Sequence, residues 1–333
     1  MVTAYEIGEK APGPETLVRI AEQLRFDQGF FEGDDLEVPS AEGTSFRAMS
    51  TMSARRRDQA LGAGALAFAL SSWIDDRFVL PKPDVPRYQG VDPETAAVAV
   101  RSEWGLGDRP IRNMIHTLEA QGVRVFSLPQ ECADVDAYSL WHDERPFVFL
   151  NTRKSAEHSR MDAAHELGHL VLHWKGAARG RGAEHEAAQF GSAFLMPSGS
   201  VLSRAPVAGT LRHLVTAKRE WNVSVAALTY RMHDLGMLTD WQYRTLFKQI
   251  SRRGYRTSEP NGIKPESSQM LAKVFQVLRD EGVSKFGIAS ELGISLDDLT
   301  ESIFGLVLTS IESVAESSGE PERPSDRPNL YLV

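Results

Sequence analysis

The chain has 333 residues, enough for two or three domains, and its 42% apolar and 25% charged residues are ordinary for a globular protein. A formal charge of −8 excludes a protein that coats nucleic acid through bulk charge, although a local basic patch is still compatible with binding DNA. The single cysteine, Cys132, excludes an internal disulfide, fits a reducing cytoplasm, and reads as a small core or loop residue rather than a nucleophile.

In chain order, residues 5–31 read YEIGEKAPGPETLVRIAEQLRFDQGFF. Pro14 at a first helical position, then Leu17, Ile20, Ala21 and Leu24, mark a short amphipathic helix, and Phe26, Phe30 and Phe31 suggest a turn that closes a small core. With Tyr5, Glu6, Gly8 and Pro12, this stretch resembles the second half of an XRE-type helix-turn-helix domain. Only four residues precede Tyr5, so the first helices of such a domain and most of its recognition helix are expected either to lie upstream of this start or to have been lost from a remnant. The fragment is not expected to bind DNA by itself. Residues 32–45 read as a linker. Residues 46–80 read as one or two helices, with Arg55, Arg56 and Arg57 able to touch phosphate but more simply a solvated face. Leu61 to Ile74 is too short and too interrupted to span a membrane, and no signal peptide is visible. Pro81, Pro83 and Pro86 then break the chain.

From Asp92 the pattern changes. Two helices are expected over Pro93–Trp104 and Ile111–Gln121, the second ended by Gly122. Three strands follow at Val123–Phe126, Ala137–Trp141 and Pro146–Leu150. Two further helices are expected over Ser155–Trp174 and Glu184–Met196, the latter stopped by Pro197. Beyond Pro206 the chain reads helical, with Thr210–Trp221 and Ser224–Leu235 and a further set over 265–312. Within that set IASELGISLDDL, 288–299, has helix-turn-helix punctuation, with Gly293 at the turn and Ser295 as N-cap. Residues 313–333 are rich in Ser, Glu and Pro and are expected to be disordered.

The chemistry lies in MDAAHELGHLVLHW. His165 and His169 are four apart, so on a helix they share a face and can converge on one zinc ion. Glu166 is turned by about 100°, beside the metal and placed to take a proton from water. Leu167, Leu170, Val171 and Trp174 form the opposite apolar stripe. Gly168 costs about 1 kcal/mol in a helix, which close approach of another segment would justify. A third histidine at the spacing of an extended motif is missing, since that position is Lys175. A glutamate from AEHEAAQFGSAFLMP is the expected third ligand. Glu184 shares a helical face with Ala188, Gly191 and Leu195, and is preferred to Glu186, which lies with Phe190 and Ala193. His173 continues the metal face; it could serve as a surrogate ligand, but is expected rather to support a ligand or simply to be buried. Tyr138, His142 and Tyr230 are candidates for stabilising an oxyanion, each more simply structural.

RMDAAHELGHLVLHW (160–174), EHEAAQFGSAFLMP (184–197) and PFVFLN (146–151) resemble the ImmA/IrrE family of metallopeptidases over about residues 91–200. WNVSVAALTYRMHDLG (221–236) resembles the helix-turn-helix-like region that follows the peptidase unit in that family. The family's pattern after the first motif is ExEANxFAxxLLMP; here Ala188 stands for Asn, Gly191 for Ala and Phe194 for Leu. The resemblance implies His165, His169 and Glu184 as zinc ligands and Glu166 as base. It also implies a role in regulation, by cleaving a helix-turn-helix repressor or antitoxin-like protein, with the substrate added as an extra strand. The competing expectation is a DNA-binding regulator, or the antitoxin of a toxin–antitoxin pair, whose peptidase unit is sensory or structural and whose DNA binding needs the helix-turn-helix completed upstream.

The expected architecture is α+β: a small zincin-like metallopeptidase unit, a three-stranded sheet plus the HExxH helix, flanked by mostly helical domains. Its expected divisions are a partial XRE-like unit (1–36), a linker and helical connector (37–90), the peptidase (91–200), a helix-turn-helix-like region (201–258), a C-terminal helical domain (259–312) and the tail (313–333). The expected setting is the cytoplasm, with a protein substrate and no membrane.

Overall fold

The computed structural model describes residues 2–24, 26–31, 33, 35–39, 45–46, 54–175, 180–206 and 210–307. The expected disordered tail, and residues 47–53 of the expected helix, lie outside them. Ahead of the sheet run helices α1 (Val2–Glu6) and α2 (Pro14–Leu24), a two-residue strand β1 (Ser45–Phe46), then α3 (Ala54–Asp75), α4 (Pro93–Glu103) and α5 (Met114–Ala120). Strands β2 (Arg124–Ser127), β3 (Ala137–His142) and β4 (Arg145–Leu150) follow, then α6 (Ala156–Leu172), α7 (Arg181–Leu195), α8 (Ser198–Arg204), α9 (Leu211–Ala217), α10 (Val225–Asp234) and α11 (Asp240–Arg252). Helices α12 (Gln269–Asp280), α13 (Lys285–Glu291) and α14 (Leu296–Ser302) complete the described chain.

Local chemistry sets most of these boundaries. The side chains of Asp92, Asn113, Ser155, Thr210, Ser224 and Ser295 each accept a backbone N–H at the start of a helix, offering a partner to a donor the helix leaves unbonded. Gly122 ends α5 at φ 75°, and a Cβ there would come within 2.4 Å of the Lys82 carbonyl group crossing beneath it. β3 and β4 form a hairpin through Asp143 and Glu144, both at positive φ (46° and 59°), the hand of turn that matches strand twist.

The sheet order is β1-β3-β4-β2, with β4 antiparallel to β3 and parallel to β2. The expected three strands are thus joined by a fourth. β1 pairs antiparallel with β3, Ser45 opposite Ser139 and Phe46 opposite Tyr138. Ser45 closed the expected linker and Phe46 opened the expected helical stretch 46–80, so the strand corrects both; two residues carry no alternation by which the sequence could mark them.

Residues along β3 point to the two faces in turn, as strand geometry requires. Ser139 and Trp141 turn to α6, where the Trp141 Nε1–H donates to the Leu170 carbonyl at 3.1 Å. Tyr138 and His142 turn to α3: the Tyr138 hydroxyl donates to the Ala60 carbonyl, and the His142 ring stacks on Phe68 with centroids 3.9 Å apart. The single helix α3 therefore forms a layer over one face of the sheet, and α6 forms the layer over the other.

The C-terminal helices are joined to this core by buried charge. Lys218 Nζ lies 3.2 Å from Glu157 and 3.1 Å from Glu259, and donates to the Asn261 carbonyl. Arg160 pairs with Glu266, whose other oxygen accepts the N–H groups of Met114 and Ile115 at the start of α5. Glu119 accepts Ser268 Oγ–H and the N–H groups of Gln269 and Met270 at the start of α12. The turn between α13 and α14 follows the expected pattern, with Gly293 at φ 67°. Both of its helices are docked, however: Glu301 of α14 takes two hydrogen bonds from Arg153, and Glu291 at the end of α13 meets Trp73 and Arg77. Among the described residues, no helix is long and apolar enough to cross a membrane.

Candidate metal centre

α6 is buried along most of its length, and His165, Glu166 and His169 are each under 5% exposed. One helical turn separates His165 from His169, so their rings lie one above the other with Nε2 atoms 3.1 Å apart. α7 crosses beside them and starts at Arg181, which puts Glu184 in its first turn. The Glu184 oxygens reach His165 Nε2 at 3.3 Å and His169 Nε2 at 3.5 Å. The ligating atoms of these three residues all lie within 4.8 Å of one another. A tetrahedral zinc ion with ligands at about 2.0–2.1 Å sets its ligand atoms about 3.3 Å apart. The separations of 3.1, 3.3 and 3.5 Å fit that requirement, and two imidazoles with a carboxylate are a donor set suited to zinc. Burial alone would raise the Glu184 carboxyl, but hydrogen bonds from His165 and His169 and their charge outweigh it and hold the group well below the usual carboxylate range.

The crossing of α6 and α7 is close because glycine sits on both sides of it. A Cβ on Gly168 would stand 3.1 Å from the Ala187 backbone, and one on Gly191 would stand 2.9 Å from the His165 nitrogen. The face argument from sequence is corrected in one respect. The small residues at the crossing are Ala187 and Gly191; Ala188 is exposed. Because α7 packs at an angle across α6, the contact surface follows Glu184, Ala187 and Gly191 rather than the row through Ala188. The far end of α7 is held by buried arginines: Arg101 donates to the Phe194 carbonyl at 2.5 Å and Arg231 to the Met196 carbonyl at 3.0 Å. These cations meet carbonyls that the helix end leaves without partners.

Glu166, about 100° round the helix from His165, meets β3. Its Oε2 accepts the Ser139 hydroxyl at 2.6 Å, so the strand fixes the carboxylate's direction. Nothing in the sequence singled out Ser139, since one serine in a strand gives no pattern. His173 stands where the sequence placed it, one turn beyond His169, with the two Nδ1 atoms 3.0 Å apart. Its Nε2 lies 2.9 Å from Glu186 Oε2. Glu186 is thus directed to His173, not to the buried side of Phe190 and Ala193. With both rings neutral, as ligation requires, His173 would donate from Nε2 to Glu186 and accept at Nδ1 from His169, turning the His169 Nε2 lone pair to Glu184 and His165. Burial lowers the His173 pKa, which favours the neutral ring this arrangement needs.

The other candidates lie elsewhere. Tyr138 and His142 face α3, on the side of the sheet away from α6. Tyr230 is on α10, 42% exposed, and among the described residues makes no hydrogen bond to the two histidines or to Glu184. The Cys132 thiol is buried and pushed up to about 11, chiefly by that burial, which suits a packing residue and not a nucleophile.

The helix with two histidines, the crossing helix that brings a carboxylate, and the strand behind the motif glutamate all fall in one stretch of sequence. Residues 118–233 match the M78 peptidase family, the IrrE N-terminal-like domain. A search of curated proteins found no match to this chain. The matched stretch runs from the last residues of α5 almost to the end of α10, so α4 precedes it and the helix pair α9–α10 falls within it. It includes His165, Glu166, His169 and Glu184, together with Ser139, His173 and Glu186.

Proposed function

We propose that the protein is a zinc-dependent endopeptidase of the ImmA/IrrE kind, acting on a helix-turn-helix repressor or antitoxin-like protein. One observation carries this reading: two imidazoles and a carboxylate from crossing helices bring their ligating atoms within 4.8 Å, with a second carboxylate, Glu166, next in the chain to His165. A zinc ion held by His165, His169 and Glu184 supplies Lewis acidity when bound, polarising a peptide carbonyl and lowering the pKa of a water towards about 7. Glu166, oriented by Ser139, takes the proton of the attacking water and delivers it to the departing amide nitrogen. His173 and Glu186 hold His169 in the tautomer that presents Nε2. The substrate class is supported by the resemblance to ImmA/IrrE, in which one cut separates the DNA-binding and dimerising parts of a repressor.

The test is metal analysis of the purified chain beside a peptidase assay. About one zinc per chain is expected, lost in Glu184→Ala and retained, more weakly, in Glu186→Ala. Glu166→Gln should keep zinc while hydrolysis falls by about 10²–10⁴-fold. A chain that takes up no zinc after reconstitution would overturn the reading.

A second reading, nucleic-acid binding, has an observation of its own. On α11, Arg244, Lys248 and Arg252 follow one another at single-turn spacing, and with Tyr243, Phe247 and Arg256 they line a shallow groove. The ion pair Arg244 makes there, with Asp240, is loose at 3.9 Å. Cations in a row beside aromatic rings suit a phosphate backbone with stacked bases. The docked α14 does not, since Asp297, Asp298 and Glu301 make it acidic. Salt-dependent binding of a labelled oligonucleotide, lost in Lys248→Ala/Arg252→Ala, would support this reading; no binding at low salt would remove it.

A further inference from the structure

The edge of the sheet beside Glu166 is already covered by this chain. β3 is the strand whose Ser139 hydroxyl holds Glu166, and the residue paired with Ser139 across the ladder is Ser45. The segment leading to it is also anchored along β3 and α3. Glu37 Oε1 lies 3.6 Å from His142 Nδ1 at the end of β3. Pro39 is buried against α3, close enough that a Cβ on Gly64 would meet its ring at 2.7 Å and the Tyr138 hydroxyl at 2.8 Å. Without β1, β3 would be an edge strand, offering unpaired N–H and C=O groups within reach of the motif glutamate. An extended peptide recognised by main-chain pairing adds itself to such an edge.

We propose that the segment through Ser45–Phe46 is a self-inhibitory strand: it occupies the position on β3 that an extended peptide substrate takes, and cleavage requires its displacement. The inhibition rests on the peptidase reading above; the occupancy of the edge does not. Tethering makes a short pairing competitive. A segment of the same chain acts at an effective concentration of about millimolar, so even weak pairing holds off a free peptide. Displacement then requires breaking the β1–β3 pairing and the contacts of Glu37 and Pro39.

The test uses the full chain with Ser45→Pro/Phe46→Pro. Successive residues of a strand direct their N–H groups to opposite sides, so replacing both removes at least one ladder donor whichever points to β3. Glu37→Ala serves as a second variant that loosens the anchor and leaves the strand residues unchanged. The first readout is anisotropy of a fluorescein-labelled peptide carrying residues 40–50 of this sequence, measured with chelator so that no cleavage occurs. The proline variant should bind it about ten-fold more tightly than the unmodified chain or better, with faster amide exchange over residues 137–142, and Glu37→Ala should shift the same way by less. The second readout is hydrolysis of labelled casein by the zinc-loaded chains, expected to rise by a similar factor. Equal peptide binding by variant and unmodified chain overturns the proposal. So does measurable casein hydrolysis that is the same in both, which would make β1 a simple edge cover. If no zinc-loaded form cuts casein, casein is not a substrate, zinc uptake decides the peptidase reading, and peptide binding decides whether β1 occupies the edge.

Discussion

α6 carries two buried polar clusters, one toward each end, and they are built differently. Toward its start, each carboxylate meets a cation or backbone N–H groups. Glu157 and Glu259 share Lys218, Glu266 faces Arg160 and two amides, and the nearby Glu119 accepts two amides and a hydroxyl. Toward its end, two imidazole nitrogens and two carboxylate oxygens converge on one another, and the side chains behind them, Ser139, His173 and Glu186, orient the set without neutralising it. Burial is common to both clusters. What separates a brace from the proposed binding site is charge balance: the first cluster is closed by its own cations, while the second gathers donors that, on the zinc reading, would direct several lone pairs to one cation.

Changes that unbalance the first cluster should have the largest effect on stability. Lys218→Met leaves Glu157 and Glu259 buried without their cation, and a loss of about 3–5 kcal/mol is expected by denaturant titration. A loss below about 1 kcal/mol would mean that the cluster is wetter than its burial suggests. Next comes the crossing on which the second cluster depends. Gly191→Ala forces a Cβ to 2.9 Å from the His165 nitrogen, and should cost about 1–3 kcal/mol while also lowering zinc affinity. Lost stability with unchanged zinc affinity would separate the crossing from the site. Glu186→Ala is expected to leave the fold intact and weaken zinc by about 10–100-fold, read by competition with a chromophoric chelator. The smallest effect is one of pH. Burial raises the Glu119 carboxyl to about 7 from an ordinary value of 4.5, so the folded chain binds more protons than the unfolded chain between those values, and stability falls as pH rises through them. Glu119→Gln lacks this slope. Its melting temperature should therefore gain on that of the unmodified chain between pH 5 and 8, and parallel curves would contradict the assignment.

The shared direction of His165 and His169, and the place of Glu166 beside them, were legible because an α-helix makes sequence spacing into spatial direction: four residues apart is the same face, whatever packs outside. Helix starts at Asp92, Ser155, Thr210, Ser224 and Ser295 were legible for a similar reason, since a cap is a bond between near neighbours. The preference for Glu184 over Glu186 was drawn from the same periodicity, and the structure brings Glu184 to both histidines, but through a contact surface that passes Ala187 instead of Ala188. That surface depends on the angle at which α7 crosses α6, and no property of α7 alone contains that angle.

The sequence by itself determined the local parts of this protein: the HExxH helix, its amphipathic neighbours, three strands and their turns, all set by bonds and side-chain directions within a few residues. Only the tertiary structure decided which distant groups complete those parts. Ser139 reaches Glu166 across 27 positions of sequence, Glu186 meets His173 across 13, Lys218 closes on Glu157 across 61, and Ser45 lies opposite Ser139 on the sheet edge. Such pairings have no period and no spacing rule, because they are fixed by how whole elements pack.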